Sequence, residues 1–323
     1  MKVFASFLAP HIQDFIKYRQ ASDHWNESSY EKNLKLFDQH CYESYPYAQE
    51  LTQEMSDGWC QQREHEENNS CRARIYVVVS FIRFLRNRGL TEIHDPVLPR
   101  IEKGVYIPHS FTQEELTSFF QECDTVPLLS TRRDAQMRKL TIPVYFRLLY
   151  SSGIRTLEAR LLRKADVDLK QGILDIRYSK GRNQHYIALH DSMLGVMRDY
   201  DSAISKFSPD RTYFFSNGNG SHYSSQWVVE NFRNLWYKAN TARATAYELR
   251  HNYAVVNINR WIDTGFDFND KLLYLSKSMG HSTLESTKYY YSIVPSLSQI
   301  LMDKTAKGLD WIIPEVADYE EIY

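Results

Sequence analysis

The feature that most constrains this chain is where its helical periodicity stops. Up to Leu85 apolar residues recur at three and four, with Ile75, Val78, Val79, Ile82 and Leu85 in one row and Arg83 and Arg86 between them. Asn87-Arg88-Gly89 then supplies a stop. The next stretch, TEIHDPVLPRIEKGVYIPHSF, has no helical period and carries Pro96, Pro99 and Pro108. No helix runs through such punctuation, so the chain should fold as two bodies. A helical part up to about residue 95, a linker over 96–110 and a second part from 111 are expected. Thr112 followed by Glu115 forms a capping-box signature ahead of Leu116 and Phe119, which starts the second part on a helix.

The second part reads as mixed. Helical pattern around Tyr145 to Ser152 leads through Gly153 into Thr156 to Lys164. There Leu157, Leu161 and Leu162 are expected on one side, with Arg160, Arg163 and Lys164 on the other. GILDIRYSKGRNQHYIALH alternates Leu174, Ile176 and Tyr178, then either Tyr186 and Ala188 or Ile187 and Leu189, about a Lys-Gly-Arg-Asn centre. That is a β-hairpin pattern. Helices are expected to resume after Gly218-Asn219-Gly220 and to run to the C-terminus. The fold class is therefore mainly α with a small β-sheet.

Composition excludes several classes. At 43% hydrophobic and 24% charged, with Gly 12 and Pro 10, a collagenous or largely disordered chain does not fit. The longest apolar run, IYVVVSFI at 75–82, falls far short of the ~20 residues of a membrane span, and MKVFASFLAPHI lacks a signal-peptide core. A soluble cytoplasmic protein with no membrane partner is expected. Cys41, Cys60, Cys71 and Cys123 form no CxxC pair, which argues for reduced thiols and against a structural zinc site.

Net charge is −1, yet it is unevenly spread. From Ser130 to Tyr186 thirteen Lys/Arg face five Asp/Glu, whereas Cys41 to Ser70 and Asp303 to Tyr323 are acidic. A basic middle suits a polyanion partner, although such a run is more often a solvated face.

Four segments carry candidate chemistry, and each is weak alone. Arg155 in SSGIRTLEARLL sits on a Gly-introduced turn at a helix start, where an arginine is usually salt-bridged. Lys180 lies at the hairpin tip, a common place for a solubilising lysine. YELRHNYAVV puts Tyr247, Arg250 and His251 on one helix, with Tyr247 and Arg250 three apart and so expected on one face. MGHSTLESTKYYYSIV places His281 after a glycine and a tyrosine triplet eight to ten residues on.

In that order, Arg, Lys, Tyr-x-x-Arg, Gly-His and Tyr resemble the catalytic signature of the tyrosine recombinases, the phage integrase family. The resemblance makes Arg155 the first catalytic arginine and Glu158 the acid that braces it. It makes Lys180 the hairpin lysine, YELRH the second box with Arg250, and His281 the histidine of the last box. The nucleophile lies nine residues beyond that histidine, which selects Tyr290. One residue departs from the pattern: Tyr247 stands where the family usually has histidine. With a reference pKa near ~10 it is a poor base at neutrality, so it serves either as a base or only as a hydrogen-bond donor.

What the resemblance implies extends to the whole chain. Residues 1–95 would be a helical core DNA-binding domain, 111–294 the catalytic domain, and 295–323 a tail exchanged between subunits. The activity would be site-specific recombination of double-stranded DNA through a 3′-phosphotyrosine, by a homo-tetramer on synapsed sites. Accessory directionality or partner recombinase proteins would be further partners. No metal, ATP or other cofactor is expected. A type IB topoisomerase, a telomere resolvase and a non-catalytic DNA-binding accessory protein are the alternatives.

The chemistry suits the residues. Phosphodiester attack builds charge on the non-bridging oxygens, and guanidinium forks at Arg155 and Arg250 match it. A phosphotyrosine conserves the bond energy for rejoining. Lys180 can protonate the departing 5′-oxygen as general acid, and His281 can hydrogen-bond the phosphate. Alanine at Arg155, Lys180 or Arg250 is expected to depress cleavage without unfolding the protein.

Overall fold

The structure is a computed structural model, which describes residues 4–21, 27–102, 108–179, 184–260, 268–281, 283 and 285–288. The chain divides into two compact units, Met1–Tyr106 and Ile107–Tyr323.

The first unit is helical: α1 (Ala9–Ala21), α2 (Lys32–Ser44), α3 (Gln53–Cys60) and α4 (Asn68–Arg86). Helix α4 packs against the other three. Ile75, Val78, Val79, Ile82 and Leu85 are buried, and so are Val77, Phe81 and Phe84. The helix thus has more than one apolar face because it stands in the middle of the bundle. Gly89 closes it at φ +66°, with Leu90 N–H bonded to Leu85 C=O. Buried Arg74 donates to both Glu66 carboxylate oxygens, at 2.8 and 2.6 Å, and to the Trp59 and Gln61 carbonyls. The proline-punctuated segment is strapped to this unit as far as Glu102. Arg86 holds Asp95, Arg72 donates to Pro99 C=O, and Asn69 brackets Glu102.

The second unit opens on α5 (Gln113–Asp124), whose Thr112 and Glu115 form the expected capping box. It continues through α6 (Arg133–Ser152) and α7 (Thr156–Leu161) into a three-stranded antiparallel sheet. The strands are β1 (Val167–Asp168), β2 (Ile173–Ile176) and β3 (His185–Ala188), in the order β1-β2-β3. Leu174 faces Ile187 and Ile176 faces His185 across the β2–β3 pair. Of the two alternations open in the sequence, the one through Ile187 turns inward, while Tyr178 and Tyr186 are exposed.

Helices α8 (Asp191–Ser205), α9 (Ser225–Ala239), α10 (Glu248–Arg260), α11 (Phe268–Ser278) and the short α12 (Glu285–Lys288) complete the described chain. Helix α8 precedes the Gly218-Asn219-Gly220 turn, so helices resume earlier than the sequence reading had them. Its buried Met193, Met197, Tyr200 and Ile204 give the reason, for they cover α6. The core is aromatic: Phe119, Tyr145, Phe146, Phe214, Phe215, Phe232 and Trp236 are all buried in one cluster. Rings at 4.9–5.8 Å link Phe119 to Phe146, Phe232 and Trp236. No described helix is long and apolar enough to cross a membrane, and all four cysteines are buried free thiols.

Candidate active site

The site begins where α6 ends. Gly153 caps that helix at φ +64°, a conformation that L side chains rarely adopt, and a Cβ there would run into the Tyr253 ring. The turn delivers Arg155 to the start of α7. Glu158, one turn on, is only 1% exposed, and its carboxylate accepts from the Arg155 backbone N–H at 2.9 Å and from Nη1 at 2.5 Å. This inward acid reorganises the helix. Glu158 and Ala159 occupy the buried face and Leu157 is exposed, so the expected leucine row is corrected. Arg155 also donates through Nη2 to Gly280 C=O at 2.9 Å, and its side chain is 14% exposed.

Arg250 comes from α10 and is 1% exposed. It donates through Nη1 to Gly153 C=O at 2.5 Å, and through Nη2 to Met279 C=O at 2.6 Å and His281 Nε2 at 3.0 Å. Because Nε2 accepts from a guanidinium, the His281 proton resides on Nδ1, which lies 2.7 Å from Thr287 Oγ1. Burial first, then the positive Arg250 and Arg155, lower the His281 pKa to about 4. The ring is therefore neutral at physiological pH, and its Nε2 is an acceptor here.

Tyr247 and Arg250 differ in burial. It lies one residue ahead of α10, 44% exposed, with its ring edge-on to His251 at 5.1 Å, whereas Arg250 is enclosed. The helix start explains this. Buried Glu248 accepts from the Thr245 N–H at 2.5 Å and from the His109 N–H at 3.0 Å, so regular helix begins after Tyr247. Thr245-x-x-Glu248 is the capping-box spacing, a signal present in the sequence. Lys180 and Tyr290 lie outside the described residues, as do residues 261–267 of WIDTGFDFND and the tail 295–323.

Sequence reasoning also passed over His185. Its side chain is 6% exposed and its Nε2 lies 3.9 Å from Glu158 Oε2. An open groove of about 880 Å³ passes this point, lined among others by His185, Tyr253, Lys277 and His281.

Three described candidates thus meet on one short stretch. Arg155 and Arg250 come from elements 95 positions apart, and both donate to the backbone of residues 279–280, while Arg250 also reaches His281. Two guanidinium forks beside a neutral imidazole make a site suited to an oxyanion with several acceptor oxygens.

Comparison with known proteins agrees with this fold. Residues 109–295 match the phage integrase family. The tyrosine recombinase XerC of Oceanobacillus iheyensis is 27% identical over 226 residues, 67% of this chain and 68% of that protein. A putative integrase/recombinase, y4rB, of Sinorhizobium fredii is 26% identical over 265 residues, 78% and 83% of the two chains. Among solved structures, XerH site-specific recombinase bound to its difH substrate in a pre-cleavage complex aligns over 94% of this chain and 97% of that one, with TM-score 0.64 and 15% identity. A lambda integrase dimer bound to a COC′ core site aligns over 97% and 98%, with TM-score 0.59 and 14% identity. The chain belongs to the phage integrase family, the tyrosine recombinases.

Proposed function

We propose that the chain is a site-specific DNA recombinase that cuts and rejoins double-stranded DNA through a 3′-phosphotyrosine. The observation that carries this is the convergence of Arg155, Arg250 and His281 on residues 279–281. Two arginines held by fixed carbonyl partners are preorganised, and an entering phosphate competes for their N–H groups with the carbonyls of Met279 and Gly280. Arg155, the more open, takes one non-bridging oxygen, and Arg250 anchors the other. Their fields and the burial around His281 oppose its protonation, so His281 acts first as an acceptor that orients Arg250. It donates to the phosphate only after its proton shifts between ring nitrogens.

Tyr290 is the nucleophile in this reading and Lys180 the general acid for the 5′-oxygen. Tyr247, at the mouth of α10, acts as a hydrogen-bond donor or base. Residues 1–95 form the core DNA-binding domain, 111–294 the catalytic domain, and 295–323 a tail donated to a neighbouring subunit in a synaptic homo-tetramer. Directionality or partner recombinase proteins assist, and the protein acts in the cytoplasm.

The test begins with covalent capture. Nicked duplexes from a random pool are incubated with the protein, and detergent-stable adducts are recovered and sequenced. A recombinase enriches a common site, and a strand with a free 5′-hydroxyl then releases the protein and yields a joined product. Adducts without rejoining, or no adduct from any sequence, would overturn the proposal.

A further inference from the structure

The hairpin strand enters the arginine site through one side chain. His185 is the first residue of β3 and faces Ile176, so by the pleat it shares the inward side with Leu174, Ile176 and Ile187. Those three fill the core, but His185 ends against polar structure. Its Nε2 is 3.9 Å from Glu158 Oε2, and its ring lies so near Gly280 that a Cβ on that glycine would collide with it. Gly280 adopts φ +61°, and helix α11 just before it packs on β3. Glu158 and the Gly280 carbonyl are also the two groups that hold the Arg155 guanidinium, at 2.5 and 2.9 Å.

We infer that His185 is a positioning residue for Arg155, setting the separation between the Glu158 carboxylate and the Gly280 peptide that clamp it. The inference rests on the recombinase reading above. It touches both jaws of the clamp and belongs to neither, and its strand is hydrogen-bonded to β2 and packs on α11. Without the ring, Gly280 and Glu158 lose their common spacer, and the guanidinium shifts relative to the phosphate. Displacement of a positioning group by about 1 Å costs on the order of a hundredfold in rate.

The experiment uses the full chain and the duplex recovered by covalent capture. Binding is measured by gel shift, and adduct formation under single-turnover conditions. His185→Ala should bind within about twofold of the parent while adduct formation falls about ten- to a hundredfold. His185→Gln, which keeps a polar side chain of similar reach, should lose less. A role through Arg155 predicts non-additivity: in an Arg155→Lys background, His185→Ala should lower the rate by less than about threefold. Replacing the bridging 5′-oxygen with sulfur, which removes the need for a leaving-group proton, should leave the His185→Ala defect in place. A parental rate for His185→Ala, a full multiplicative loss in the Arg155→Lys background, or rescue by the sulfur substrate would each overturn the inference. Should His185→Ala fail to fold, His185→Gln in both backgrounds decides by the same comparisons. If the parent chain itself forms no adduct, the recombinase reading fails rather than the role of His185.

Discussion

Replacing Arg155 with alanine should cost stability as well as cleavage, contrary to what its place in the motif alone suggests. Glu158 is 1% exposed, and two of its bonds come from Arg155, one from the guanidinium and one from the backbone N–H. Alanine keeps only the second and leaves a buried carboxylate without its charged donor. Removing one partner of a buried pair costs about 3–5 kcal/mol. Because the Arg155 side chain is 14% exposed, the lower end applies. For a unit of this size, at ~2–4 °C per kcal/mol, that lowers the melting midpoint by roughly 6–12 °C. Cleavage should fall about a hundredfold, the cost of one preorganised donor to a developing anion. The two losses separate in the double variant Arg155→Ala/Glu158→Gln, in which the neutral amide removes the orphaned charge. Thermal unfolding should recover most of the midpoint, while suicide-substrate cleavage stays at the single-variant level. If Arg155→Ala melts like the parent, or if the double variant regains cleavage, the reasoning is wrong.

Two left-handed glycines separate backbone strain from crowding. Gly89→Ala, with open space around its Cβ position, should lose only about 1 kcal/mol, whereas Gly153→Ala, which meets the Tyr253 ring, should lose clearly more in a denaturant titration; equal losses would refute the packing argument. His281, held near 4 against an ordinary 6.5, binds a proton more readily when unfolded. Its contribution is therefore full above pH 6.5 and lost as pH falls towards 4, so His281→Asn should flatten stability over that window, and an unchanged slope would contradict the burial argument. Glu66, hydrogen-bonded to Arg74, is held at about 2. Its stabilisation is full above about 4.5 and fades as pH falls through about 2. Glu66→Gln should remove on the order of 3 kcal/mol of pH-dependent stability across that range, read by urea unfolding at successive pH values.

Much of the architecture was legible because local signals agreed with burial. Ile75 to Leu85 announced α4, Gly89 its end, and Thr112 with Glu115 the start of α5. What escaped notice had weak or misleading local signals. Strand β1 is two residues long and exists because Val167 and Asp168 pair with β2. Helix α8 carries Gly195 within it, and its Met193, Met197, Tyr200 and Ile204 spacing is visible only if that glycine is tolerated. The leucines of α7 misled because burial of a charge chose the face: Glu158 turns inward to meet Arg155. Sequence order singled out Arg155, Arg250 and His281, which the fold brings together, but not the exposure of Tyr247, which precedes a helix that starts at the buried Glu248. His185 offered only the alternation of a strand. Its importance depends on what lies opposite, and a period of two does not report that.

In the proposed reaction a tyrosine of the triplet becomes joined to DNA through the site formed by Arg155, Arg250 and His281. Its most direct test is to digest the captured protein–DNA adduct and locate the nucleotide-bearing residue by mass spectrometry. The expected result is a 3′-phosphotyrosine at Tyr290, with no adduct from Tyr290→Phe and adducts retained by Tyr289→Phe and Tyr291→Phe. A nucleotide on Tyr289 or Tyr291, or on a residue outside the triplet, would contradict it.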